Sequence, residues 1–436
     1  MKYVIASLAL FANSQASAAG AIDFSFGATP PFSHFYDQTT DGFGKARYMA
    51  TQADGKIVFA TAGAASIAGK GVLIRLNANG TRDWSFGQNG RVVLSYATGA
   101  SETTTNAVAV AGDGALVVLS TAKACAPLPA LRTCVTLERL GKDGQRGPYT
   151  STIHGEAIAE HGVDLVIEPN GDVVTVGAGD FSPSSDWVVR RWRFNGTTWQ
   201  ALLTSRIDFT ASGVSRPDHP TAIARVGTGK LLICGWTLFD AQEDLDFAVA
   251  QLKPDLTLDT SFSNDGKLTV AVDLPGSNRM DACESIATDA TGRIWVGGTA
   301  QGENGYDNSV VAAYTTTGTQ VFRKVHPIAG FGSALTELLP TRDGTVLFAG
   351  SMFSSTGTAA IVGRFLSNGD IDSTFGGNGL VSFNRTPFVP GALPFDWGSF
   401  ARWQVSGGRT RVVVAGRQLH FSGDEAWGVF RTEVFP

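Results

Sequence analysis

Charge, sulfur and long apolar runs are all scarce in this chain of 436 residues. Only 17% of the residues are charged, the net charge is -5, the pI is near 5.7, and no basic run appears. That balance argues against a nucleic-acid partner, because phosphate binding rests on clustered Lys and Arg. The six histidines, His34, His154, His161, His219, His326 and His420, are scattered. With no His-x-x-x-His pair and no Cys-x-x-Cys, a zinc ligand set is missing. There is no Gly-x-Ser-x-Gly elbow and no phosphate-cradling glycine loop between a strand and a helix, which counts against a serine hydrolase or a nucleotide enzyme. After the first residues no apolar stretch reaches about 18 residues, so membrane insertion is not expected.

Residues 1–18 read as an export signal. Lys2 supplies positive charge, Tyr3 to Phe11 is an apolar core too short to span a bilayer, and Ala16-Ser17-Ala18 fits small-residue cleavage. The mature chain, 19–436, is expected to be a secreted or periplasmic monomer. Export turns the four cysteines into potential disulfide partners. Cys125 and Cys134 flank a loop between two predicted strands, where a bridge would staple the neck. Cys234 and Cys283 could lie close together, and two separate buried thiols are the expectation, with their pairing left open.

Glycine is plentiful, at 52 residues, and its placement is periodic. A turn running into an apolar strand, Asp54-Gly55-Lys56-Ile57-Val58-Phe59-Ala60, recurs seven times with turn glycines Gly55, Gly114, Gly171, Gly229, Gly292, Gly344 and Gly408. The steps between them are 59, 57, 58, 63, 52 and 64 residues. Period-2 alternation predicts four strands per repeat. In the first repeat they are a (47–52), b (56–61), c (72–77) and d (91–96). Four-stranded sheets with no helical pattern bury both faces only by stacking on each other, which predicts an all-β, single seven-bladed β-propeller with antiparallel blades. The last repeat ends without a strand d. Ile22-Asp23-Phe24-Ser25-Phe26-Gly27 is the turn that elsewhere leads into strand d, so residues 32–36 are expected to complete the last blade and close the ring.

The turn Asp-Gly-Lys-Ile-x-x-x-Gly, followed by Asn-Ala-Asn-Gly and Asp-x-Ser-Phe-Gly-x-x-Gly, resembles the delta-60 repeat of bacterial exported β-propellers. The match is close at Asp83 to Gly90, Asp259 to Gly266 and Asp372 to Gly379, and loose in repeats two, three and five. The resemblance implies a fold and no particular activity.

In such a blade the a-to-b and c-to-d turns share one face, and the b-to-c loops and d-to-a crossings share the other. The b-to-c loops are long and unlike one another, so a ligand site is expected on their face. Acidic residues stand 11 to 14 positions before the turn glycines: Asp41, Glu102, Glu160, Asp218, Asp281 and Asp396, with Ser333 in the sixth repeat. They would either ring the channel mouth and attract a cation such as Ca²⁺, or cap their own crossings through backbone N–H groups. No resident metal or other cofactor is assigned. His161 and His219 occupy equivalent positions beside acids, where adjacent blades could bring them together. Trp236 and Tyr306, beside acids on the same face, suit a sugar or peptide. The expected role is a binding scaffold for a glycan, peptide or cation, with an enzyme, a lyase or hydrolase at the channel mouth, as the alternative.

Overall fold

The computed structural model describes residues 19–27, 32–35, 48–62, 69–94, 102–123, 133–153, 159–181, 184–209, 216–227, 229–238, 244–275, 279–302, 306–328, 331–354, 357–383, 392–420 and 425–434. Residues 1–18, expected from the sequence to be an export signal, and Asp41 and Cys125 lie outside these residues.

Strand β1 (Phe32–Phe35) precedes seven antiparallel blades. Blade one is β2 (Tyr48–Thr51), β3 (Ile57–Ala62), β4 (Gly71–Leu76) and β5 (Arg91–Val93). Blade two is β6 (Glu102–Val110), β7 (Leu116–Lys123), β8 (Thr133–Leu140) and β9 (Arg146–Ile153). Blade three is β10 (Glu160–Ile167), β11 (Val173–Asp180), β12 (Ser185–Phe194) and β13 (Trp199–Ile207). Blade four is β14 (Asp218–Arg225), β15 (Leu231–Leu238), β16 (Leu245–Leu252) and β17 (Lys267–Val270). Blade five is β18 (Asp281–Thr288), β19 (Ile294–Gln301), β20 (Asp307–Tyr314) and β21 (Gln320–His326). Blade six is β22 (Gly332–Pro340), β23 (Val346–Ser354), β24 (Gly357–Phe365) and β25 (Leu380–Phe383), and blade seven begins with β26 (Ala392–Ser406), β27 (Arg409–His420) and β28 (Glu425–Glu433). The protein is a seven-bladed β-propeller. Strand β1 pairs antiparallel with β28, Phe32 opposite Phe430 and Phe35 opposite Trp427.

The middle strands read as almost continuous apolar runs because both their faces are covered by neighbouring blades. Seven apolar clusters among the described residues occupy the seven seams. One, for example, joins Val176 and Trp187 of blade three to Ile233 and Ala250 of blade four. The cluster at the seam of blades seven and one combines Val413, Ala415 and Val429 with Met49, Ile57, Leu76 and the early residue Phe26.

The Asp-x-Ser-Phe turn is held by ion pairs on the face away from the long loops. Asp83 Oδ1 accepts from Ser85 N at 3.1 Å and from Ser85 Oγ at 2.6 Å, while Oδ2 accepts from Arg75 Nε and Lys56 Nζ, both at 2.9 Å. The Arg75 guanidinium lies over the fully buried Phe86 ring at 4.6 Å. Asp23, Ser25, Phe26 and Arg431 repeat this arrangement, with Arg431 Nε donating to Asp23 Oδ2 at 2.9 Å. So do Asp372, Thr374, Phe375 and Arg364. The Lys of Asp-Gly-Lys and the Asp of Asp-x-Ser-Phe therefore form one structural clamp.

Candidate functional site: the channel mouth

The innermost strand of six blades is interrupted at one register. The pairing slips between Thr105 and Ala107, Gly162 and Asp164, Pro220 and Ala222, Cys283 and Ser285, Leu335 and Glu337, and Gly398 and Phe400. Each slip is a β-bulge, which re-aims the side chains around it. The facing glycine in the next strand makes room for it. A Cβ on Gly177 would meet His161 O at 2.1 Å, and one on Gly235 would meet His219 O at 2.0 Å. Gly298 and Gly350 stand against Ala282 O and Ala334 O in the same way. The glycine ending several copies of the repeat motif is thus the seat of the bulge in the channel-lining strand.

That register brings the histidines together. His161 pairs with Ala178 and His219 with Trp236, so they occupy equivalent places on the inner strands of adjacent blades. Both line a cavity of about 380 Å³ that also takes in Tyr48, Asn106, Lys123, Thr221 and Glu284. The His219 ring stacks on Trp236, with centroids 5.4 Å apart and planes 11° from parallel. A second cavity of about 280 Å³ shares Tyr48, Thr221 and Glu284, and adds Asp164 and the Glu337–Arg402 ion pair.

The carboxyls lining the channel are biased towards their protonated forms. Burial, with Asp307 adding to it, pushes Glu284 up to about 7. Burial pushes Asp164 up to about 6, against the backbone N–H groups of Ile223 and Leu165 that it accepts from. Bulged positions carry Asn106, Thr221 and Glu284, whose importance no sequence motif announced. Their signal was only the register, one place past the strand residue that faces the motif glycine.

The acids singled out by spacing sit elsewhere. Glu160, Asp218 and Asp281 head their inner strands but are buried, and none lines either cavity. Glu160 forms a two-pronged pair with Arg190. Asp218 Oδ2 accepts from Phe209 N at 2.7 Å, and Asp281 Oδ2 accepts from Val272 N at 2.6 Å and Asp273 N at 3.0 Å. Both aspartates therefore cap the crossing that leads into their own strand. Ser333, the sixth in the series, accepts instead from Ser309 N at 2.9 Å. Glu102 opens β6, and Asp396 lies within β26 opposite Gln418; their side chains lie outside the described residues. Tyr306 approaches Phe353, with ring centroids 6.4 Å apart, and does not line the cavity. Cys234 and Cys283 are buried free thiols, and Cys283 is pushed well up by burial and by the adjoining Cys234 thiol. Cys134 is buried beside Ala122 in blade two.

Three stretches of the chain, residues 52–86, 227–262 and 341–375, match a family model described as "Domain of unknown function (DUF5122) beta-propeller". In these three repeats the chain is similar to that β-propeller family. The matched stretches run from the glycine turn before the second strand to the buried Phe, which are the segments of blades one, four and six that hold Asp83, Asp259 and Asp372. No curated protein matches the chain. Among solved structures, an ulvan lyase of family PL25, bound to a GlcA(1-4)Rha3S saccharide, superposes with a TM-score of 0.54 at 11% identity, covering 92% of this chain and 96% of the other. The polysaccharide lyase Uly1 superposes with a TM-score of 0.53 at 9% identity, covering 97% and 94%. At such identity the likeness is one of fold.

Proposed function

We propose that the channel mouth binds an anionic saccharide chain and that His161 and His219 exchange protons with it in an elimination reaction. The observation that carries this reading is the meeting of two register-equivalent histidines with Tyr48 and Lys123 in one cavity. Elimination beside a carboxylate needs a base for the carbon-bound proton, a cation facing the carboxylate, and an acid for the leaving oxygen. Imidazoles transfer protons near neutral pH, Lys123 supplies the cation, and Tyr48 adds a hydroxyl donor. Glu284, carrying its proton at slightly acidic pH, offers a hydrogen bond without repelling an anionic substrate. The two lyases of the same fold act on polysaccharides, which supports the class of ligand.

The test is a panel of uronate-containing polysaccharides, followed by the ultraviolet absorbance of the unsaturated product. Turnover is expected, with His161→Ala and His219→Ala each lowering kcat at least about a hundredfold while the melting temperature stays put. Turnover unaffected by either substitution would overturn the assignment. A second reading, a saccharide-binding scaffold without turnover, is favoured by the flat His219–Trp236 stack, since planar rings cover the apolar faces of sugars. Retention on a glycan array without any product would select it.

The export signal over residues 1–18, the delta-60 assignment, a monomeric state and a Cys125–Cys134 bridge belong to the same proposal, of a protein working outside the cytoplasm. Blocking free thiols under denaturing conditions should label two cysteines per mature chain before reduction and four after it.

A further inference from the structure

At the seam of blades three and four, three strand ends converge on the face of the long loops. Asp186 is the second residue of β12, Asp208 follows β13, and Asp218 begins β14. One carboxylate oxygen of each lies within 4.8 Å of the others. Asp186 and Asp218 are fully buried, and the Oδ1 atom of each has no hydrogen-bond partner. Their other oxygens are used: Arg206 Nε donates to Asp186 Oδ2, and Phe209 N donates to Asp218 Oδ2 at 2.7 Å. Lys267 Nζ donates to the main-chain oxygen of Asp208 at 3.0 Å. Asp186 Oδ1 and Asp218 Oδ1, sealed from water, thus remain without a donor. A buried, unpaired carboxylate oxygen is costly unless a proton or a metal meets it.

We propose that Asp186, Asp208 and Asp218 hold a hard divalent cation, calcium by size, that pins blade three to blade four. An all-oxygen donor set suits calcium over zinc. A span of 4.8 Å is what opposite ligands of a shell about 2.4 Å in radius reach, and water or main-chain oxygens would complete it. The ion would fix the start of β14, whose next residue is His219, so it would stiffen the strand that carries one of the two histidines. The site stands on carboxylate geometry alone and survives if the saccharide reading fails.

The test is calorimetric titration of the chelator-stripped full chain with calcium chloride, together with thermal melts. Binding of one ion per chain is expected, with a melting temperature raised by several degrees. Asp208→Asn, which alters the half-buried member, should weaken the affinity at least tenfold. Absence of heat and of a melting shift in the unaltered protein would overturn the site, and so would an Asp208→Asn variant that binds as before. Should that variant fail to melt cooperatively, terbium luminescence of the unaltered protein, sensitised through Trp187 beside Asp186, decides. A signal that calcium competes away is expected, and no sensitised signal overturns the proposal.

Discussion

Asp83 shows what single residues contribute. Burial pushes its carboxyl up, but Ser85, Lys56 and Arg75 outweigh burial and hold it well below the usual carboxylate range. A carboxyl depressed in the folded state adds stability above its unfolded pKa and loses it as the pH falls. Asp83→Asn takes one carboxylate from Arg75, only 1% exposed, which keeps Asp143 Oδ1 at 3.1 Å, so the loss expected near pH 7 is about 2 kcal/mol, shrinking towards pH 3. Urea unfolding of both proteins across that range checks it. Glu284 works in the opposite sense. Its carboxyl is raised to about 7, so the folded chain holds a proton that the unfolded chain has released, and stability falls as the pH rises from about 4.5 to about 7. Glu284→Gln is therefore expected to raise the melting temperature at pH 8 and to change it little at pH 4. An equal effect at both values would show that the carboxyl ionises freely.

Among the elements, the bulged inner strand is the one that makes a site. Gly235→Ala would drive a methyl group to 2.0 Å from His219 O, so either the bulge flattens or β15 moves. Overpacking of this kind costs about 1 to 3 kcal/mol, and a flattened bulge also turns His219 off the cavity. Gly344→Ala, with nothing within 4 Å of the added carbon, separates crowding from backbone strain. Unfolding in denaturant and turnover or glycan binding should both suffer in Gly235→Ala, and stability alone in Gly344→Ala. The strands were legible in the sequence because alternation and turn glycines are local signals. In the first blade the reading of 47–52, 56–61, 72–77 and 91–96 sits within a few residues of the observed strands. The equivalence of His161 and His219 was legible too, since counting from a repeat turn is counting register. The bulges were not, because a bulge depends on the partner strand, and the glycine that permits it looks like any strand-end glycine. For the same reason Asp218 and Asp281, evenly spaced in the chain, suited a ring at the mouth. Spacing cannot tell a carboxylate facing a channel from one turned back onto Phe209 N or Val272 N.

At the scale of the molecule, the open question is how blade seven meets blade one. The seam between them shares a core in which Phe26 is fully buried beside Met49 and Val429. Residues 19–27 also bond the last strand: Gly20 N donates to Glu433 O at 2.8 Å, Glu433 N to Ala21 O at 2.9 Å, and Asp23 N to Arg431 O at 2.9 Å. Arg431, only 4% exposed, depends on Asp23 for its ion pair at 2.7 Å. Strand β1 then lies along β28 as the outermost strand of that blade. If this early segment is the clasp of the ring, a chain shortened to begin at residue 37 should lose far more than its few residues of surface. It gives up the Phe26 side chain, leaves Arg431 buried without a carboxylate, and exposes the edge of β28 to pairing with other chains. Loss of the ion pair alone costs about 3 kcal/mol, so the melting temperature is expected to fall by on the order of 5 °C or more, with new dimers or aggregates in sedimentation. A synthetic peptide of residues 19–36 added to the shortened chain should restore both, because the groove it fills is already shaped by β28, Met49 and Arg431. A shortened chain that melts like the full one and stays monomeric would show that the seven blades hold their ring through the seams alone.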